Sequence, residues 1–128
     1  MSSEYKLFPK SEYESRWERA REGMKAKGLD ALFITESANY TYFSGGHGDF
    51  SFSRPTIMIL PQKGNPVLIV HDFFEHSQQR ESWVDDIRTY SPFGALPFDM
   101  LKAIWGELGL NSGRIGAELG NEQRLGLP

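Results

Sequence analysis

Three stretches of this sequence combine residue types that could do chemistry. The first is His71-Asp72-Phe73-Phe74-Glu75-His76, in which His71 precedes Glu75 by four residues and Asp72 precedes His76 by four. On one helix face such pairs can share a metal ion. Asp72 and Glu75 also have the spacing of a capping box, and His71 ends a run of strand-forming residues, so the two pairs would not converge. The simpler reading is structural. The second stretch, Ser44-Gly45-Gly46-His47-Gly48-Asp49, could offer backbone donors to an anion. It lacks phosphate-loop spacing and no lysine follows its glycines, so it reads as a mobile connection. The third, Phe50-Ser51-Phe52-Ser53-Arg54-Pro55, alternates aromatics with serines and ends on an arginine. A guanidinium is a rigid fork that grips a carboxylate through two parallel bonds, and a neighbouring ring keeps water away. The competing reading is a solvated arginine beside two core phenylalanines. No Gly-x-Ser-x-Gly elbow occurs, so a serine nucleophile has no anchor, and nothing orients His47 toward Asp49.

Composition narrows the classes. The 128 residues include no cysteine, which removes disulfides, cysteine nucleophiles and thiolate metal sites. Fourteen basic residues against 17 acidic ones, a formal charge of −3, argue against nucleic acid, which calls for a basic face. The longest aliphatic runs, Ile57 to Leu60 and Val67 to Val70, are four residues long. That is too short for a membrane span or a secretory signal, and a cytoplasmic protein is expected. One domain over 1–128 is expected, burying roughly two-thirds of the surface of its unfolded chain.

The elements that must position these residues follow from periodicity. Tyr13, Trp17, Ala20 and Met24 form one apolar helical stripe, with Ser11 and Glu14 as a capping box and Gly28 as a left-handed stop. Gly23 inside that helix costs about 1 kcal/mol relative to alanine. Ala31 to Ile34 is continuously apolar and suggests a strand covered on both faces. Ser37 caps a short helix carrying Tyr40 and Phe43. Arg54 to Leu60 and Val67 to His71 are strands joined by a short Pro/Gly turn, which demands antiparallel pairing. Asp72 and Glu75 open a helix running toward Ser82, and Asp86 to Tyr90 is a short strand. Pro97 suits the first turn of a helix buried through Leu101, Ile104, Trp105 and Leu108 and stopped by Gly109. Arg114 to Ala117 is a last strand, and residues 119–128 look like the start of a connector. Trp17 and Trp105 fall on the buried stripes, whereas Trp83 follows a helix and is not assigned. This alternation predicts an α/β fold: a three-layer arrangement in which helices on both faces cover a mixed sheet containing one antiparallel hairpin.

Arg16, Arg19 and Met24, then Gly28-Leu29-Asp30-Ala31-Leu32-Phe33-Ile34-Thr35, Asn39-Tyr40-Thr41-Tyr42-Phe43-Ser44-Gly45 and Ile115-Gly116-Ala117-Glu118 occur here in an ordered set. From Tyr13 to Pro128 the chain thereby resembles the N-terminal domain of the creatinase/prolidase/aminopeptidase P family. The resemblance implies a ribonuclease H-like α/β domain, followed in such proteins by a C-terminal "pita-bread" catalytic domain. It implies that the second domain supplies two aspartates, a histidine and two glutamates to a divalent metal pair (Mn, Co or Zn). No catalytic or metal-ligating residue and no cofactor are therefore expected within this chain. The resemblance further implies a homodimer in which this domain overhangs the partner's active site. In creatinase a phenylalanine and an arginine on the strand after the glycine turn help bind the substrate carboxylate, and that pattern falls on Phe52 and Arg54. With His47 on the turn, these are the candidate substrate-binding residues. The composition around His47 departs from creatinase, so a proline-containing dipeptide or another small carboxylate is the expected substrate, and neither nucleic acid nor a membrane is a partner. The alternative is a stand-alone α/β interaction module using residues 49–54 as its contact surface.

Overall fold

The computed structural model describes residues 5–48, 54–91 and 98–118. Their elements run α1 (Lys10–Lys27), β1 (Ala31–Ile34), α2 (Ser37–Ser44), β2 (Ile57–Pro61) and β3 (Val67–His71), then a 3-10 turn (Asp72–Phe74), α3 (Glu75–Glu81), β4 (Asp86–Tyr90), α4 (Phe98–Glu107) and β5 (Ile115–Ala117). Burial dictates how they stack. β2 and β3 are buried at every position, which requires cover on both faces of the sheet. Side chains alternate along a strand, so Ile57 and Ile59 face one way and Met58 and Leu60 the other. The first pair packs with Val67, Ile69, Tyr90 and, from α4, Leu101 and Ile104. The second pair packs with Leu68, with Tyr13 and Trp17 of α1, and with Tyr40 of α2. The result is the expected three-layer α/β arrangement around one mixed sheet.

Strand order is β4-β3-β2-β1-β5. β2 pairs antiparallel with both β1 and β3, while β1 with β5 and β3 with β4 are parallel. The β2–β3 hairpin is the one predicted from its Pro/Gly turn. β2 thus runs against the other four strands. Its beginning lies where they end, and Ile34 stands opposite Met58.

The helix starts differ from the capping expectations. α1 begins one residue before Ser11, and Pro9 at the cap makes no side-chain bond. The Phe8 ring packs 6.3 Å from Tyr13. That is the geometry of a hydrophobic staple, which fixes the entry of the chain and leaves Ser11 in the first turn. α2 is capped by Glu36, not Ser37: its carboxylate accepts the N–H groups of Ala38 and Asn39, each at 3.0 Å. The Asp72–Glu75 capping box does not form, because the buried His71 ring takes the position, its Nδ1 accepting the Phe73 N–H at 3.3 Å. The stops behave as expected, since Gly28 and Gly109 adopt φ of 68° and 71°. Pro97 and residues 119–128 lie outside the described residues.

At the carboxyl end of β5, Glu118 closes a long-range contact. Its Oε1 accepts from the Thr35 N–H at 2.7 Å and its Oε2 from the Glu36 N–H at 2.8 Å. β5 is thereby fastened to the entrance of α2. At the opposite edge, Arg88 on β4 binds Asp86 at 2.6 Å and Glu107 of α4 at 2.9 Å.

Two outcomes follow from these caps and helices. Gly23→Ala adds a Cβ that meets nothing within 4 Å, so it should stabilise the protein by about 1 kcal/mol in chemical denaturation. The two backbone N–H groups, Ala38 foremost, hold the Glu36 carboxyl below the usual carboxylate range. A lowered folded-state pKa means a contribution that is full above the unfolded value and lost as pH falls through the folded one. Glu36→Ala should therefore cost about 1 kcal/mol at neutral pH. Denaturation at a series of acid pH values should show that difference shrinking.

Candidate functional site

The carboxyl ends of β1, β3, β4 and β5 and the beginning of β2 share one rim of the sheet, the usual place for ligands on open α/β sheets. Arg54 stands there, two residues before the buried Thr56. Its guanidinium carbon lies 5.9 Å from the centroid of the Phe74 ring, within reach of a cation–π contact. The Tyr90 hydroxyl donates to the Pro55 carbonyl at 2.5 Å, fixing the next residue of the chain. Phe73, 67% exposed, adds apolar surface to the rim. This is a guanidinium on an aromatic shelf. The shelf is Phe74. Phe52, anticipated as the aromatic partner, lies outside the described residues.

The glycine turn is not the loose connection expected from its composition. Gly45 and Gly46 are buried, and the backbone from Ser44 to His47 finds partners at most of its groups. The Gly45 N–H donates to the Thr41 carbonyl, and the Gly46 N–H to the Ser44 hydroxyl. Thr41 Oγ1 donates to the Gly46 carbonyl at 3.0 Å, and Ser82 Oγ to the Ser44 carbonyl at 2.6 Å. The His47 N–H reaches Glu81 Oε2 at 2.9 Å, and the His47 carbonyl accepts from Gln78 Nε2 at 2.6 Å. The His47 ring is 64% exposed, with Nδ1 3.4 Å from Glu81. A turn whose backbone is buried must find partners inside the protein, and α2 and α3 supply them.

Gln78 is 0% exposed, and its Oε1 accepts from the Tyr40 hydroxyl at 2.7 Å. Burial raises the Tyr40 pKa, so its hydroxyl remains a donor at all ordinary pH. Gln78 and Glu81 were missed by sequence reasoning. Their signal is a helix, Glu75–Glu81, that carries no apolar residue yet packs against the fold.

The His71–His76 stretch behaves as a structural one. His71 is 1% exposed, and its Nε2 faces the Ser91 carbonyl at 2.8 Å, so that nitrogen carries the proton. Its Nδ1 lies 3.0 Å from Asp72. Ser91 Oγ is bonded to Asp72 Oδ2 at 2.9 Å, not to the imidazole. Serine, histidine and aspartate are thus neighbours here, but the imidazole faces the Ser91 carbonyl and not its hydroxyl, so the three do not form the serine–histidine relay of a hydrolytic triad. Among the described residues no three His, Cys, Asp or Glu side chains are grouped to hold a metal ion. None of the helices among them is long and apolar enough to cross a membrane. Trp17 and Trp105 pack in the two cores, and Trp83 Nε1 donates to the Phe8 carbonyl at 2.8 Å.

Comparison with known proteins agrees with this architecture. The family model described as the creatinase/prolidase N-terminal domain matches residues 16–123. An ectoine hydrolase of Halomonas elongata is 29% identical over 122 residues, covering 89% of this chain and 30% of that protein. The crystal structure of dipeptidase PepE from Mycobacterium ulcerans superposes with a TM-score of 0.64 at 25% identity, over 86% of this chain and 28% of that one. The N-terminal domain of an X-Pro dipeptidase from Streptococcus pyogenes superposes with a TM-score of 0.61 at 17% identity, over 70% and 71% of the two chains. The present chain spans less than a third of the ectoine hydrolase and of PepE.

The glycine turn supplies a test of this geometry. A Cβ at Gly46 would overlap the amide oxygen of Gln78, which is already bonded at both ends. Gly46→Ala should lower stability by about 1–3 kcal/mol, the cost of leaving buried polar groups unmatched. A denaturant midpoint equal to that of the unaltered protein would contradict the packing described.

Proposed function

The chain belongs to the creatinase/prolidase N-terminal domain family, and from that premise we propose that it is the non-catalytic lid and scaffold of an Xaa-Pro dipeptidase-like hydrolase of the cytoplasm. The proposed lid works by position. It pairs two protomers as a homodimer and overhangs the partner's active site. There it excludes water and holds the substrate carboxylate through Arg54, with His47 and Phe52 as the further substrate-binding residues, so that the bond to be cleaved is presented in one orientation. The observation that carries this reading is the Arg54 guanidinium held against Phe74 on the rim, inside a domain of this family. A proline-containing dipeptide ends in a carboxylate, and so does ectoine, so the same fork suits either kind of small acid.

The family's divalent metal pair, Mn, Co or Zn, would activate water in the hydrolase domain. The described residues here do not fit such a group, because the acidic and imidazole side chains do not converge. What this chain contributes is charge recognition and exclusion of solvent, neither of which needs a metal donor.

The test is kinetic and uses the full protein carrying both domains. Arg54→Ala should raise KM for a free-carboxylate dipeptide by about 30-fold, the equivalent of about 2 kcal/mol for one charged hydrogen-bonding group, with kcat nearly unchanged. A dipeptide amide, lacking the carboxylate, should show no such difference. An unchanged KM for the free acid would remove Arg54 from the site.

A further inference from the structure

The geometry points to Gln78 as a positioning residue: from α3 it fixes the glycine turn 45–48 and, through the turn's contact with Thr56, the mouth of β2 from which Arg54 extends. The inference rests on the reading of Arg54 as a carboxylate clamp and adds what holds that clamp in place.

Three observations connect Gln78 to Arg54. The first is the completeness of the amide's bonding. Fully buried, Gln78 accepts from Tyr40 on α2 and donates to the His47 carbonyl on the turn. It joins two separate segments through a group whose two ends differ, so it specifies one arrangement of them. A buried apolar side chain of equal length would fill the space without specifying the turn. The second is how closely the turn leans on β2. A Cβ at Gly48 would lie 2.5 Å from Thr56 Cγ2, so the turn backbone rests directly on the residue two positions after Arg54. The third is that one ledge serves both groups. Phe74, four residues before Gln78, lies under the Arg54 guanidinium. Glu81, three residues after it, holds the His47 N–H, and Ser82 holds the Ser44 carbonyl. From Phe74 to Ser82 this ledge supports the clamp at one end and the turn at the other. A two-bonded grip on a carboxylate depends on where the guanidinium stands, so such support has functional weight for substrate binding.

The experiment uses the full protein carrying both domains, stripped of metal so that glycyl-proline is not cleaved, labelled with nitrogen-15 and observed by NMR. Gln78→Met keeps the length of the side chain and removes both polar contacts. The His47 amide should lose at least tenfold in hydrogen-exchange protection. The Arg54 Nε–H resonance, which senses the Phe74 ring current, should move, while the amides of Ile115 and Ala117 at the far edge of the sheet keep their positions. Glycyl-proline, titrated as the probe, should bind the variant at least tenfold more weakly than the unaltered chain. Glu81→Ala, at a partly exposed position, should loosen His47 and move Arg54 in the same direction, and it serves where Gln78→Met fails to fold. If the Arg54 resonance and the glycyl-proline affinity match the unaltered chain in the folded variants, Gln78 is only a structural residue and the inference is wrong. A different result marks failure of the underlying reading: Arg54 of the unaltered chain ignores glycyl-proline, yet its resonance still moves in the variants. In that case positioning stands and the carboxylate role falls.

Discussion

Strand β2 runs against its four companions, and this single antiparallel placement governs the geometry of the candidate site. In an all-parallel sheet the strand beginnings lie on the rim opposite the ligand-binding one. Here the start of β2 opens among the carboxyl ends of the other strands, so a residue that precedes β2 is delivered to that rim. Arg54 reaches it without a long excursion of the chain. The burial of β2 on both faces then holds its register, because a slip of one residue would exchange the Ile57/Ile59 face for the Met58/Leu60 face. The arginine is placed by the core beneath it as much as by the residues around it.

The fold was largely legible because its signals are local. Continuous apolar runs at 57–60 and 67–70 announced strands covered on both faces, and the Pro/Gly turn between them left only antiparallel pairing. The stripes Tyr13/Trp17/Met24 and Leu101/Ile104 announced the covering helices. Helix starts were less legible. Ser11, Ser37 and the Asp72–Glu75 pair all carry capping chemistry, yet the caps are decided by what packs nearby: Phe8 on Tyr13, the Glu36 carboxylate, and the His71 ring. Propensity names residues able to cap, and tertiary contacts choose among them.

The candidate site was legible only in part, and the division is physical. Arg54 stands out because a guanidinium beside aromatics has an evident use. Gln78 does not, because a glutamine in a helix of charged and polar residues reads as solvated surface. Its burial becomes visible only with the turn it supports. The same holds for the glycines. Composition suggested a mobile loop, whereas Gly46 and Gly48 are small because the backbone is pressed against Gln78 and Thr56. Glycine is required both by loose segments and by tightly packed ones, and sequence does not separate the two.

The bond from Glu118 to Thr35 and Glu36 spans more than eighty residues and bears on how the chain assembles. β1 is hydrogen-bonded to β2 as soon as the hairpin exists, but its other side waits for β5, the last strand among the described residues. A ribosome releases the chain from its amino end, so the nascent protein carries β1 as an open edge while residues 35–114 are made. The arrival of residues 115–118 covers that edge and sets the entrance of α2 in one event. Such late, distant pairing slows folding. In a growing polypeptide this makes the interval before Glu118 emerges the period of greatest exposure to wrong partners.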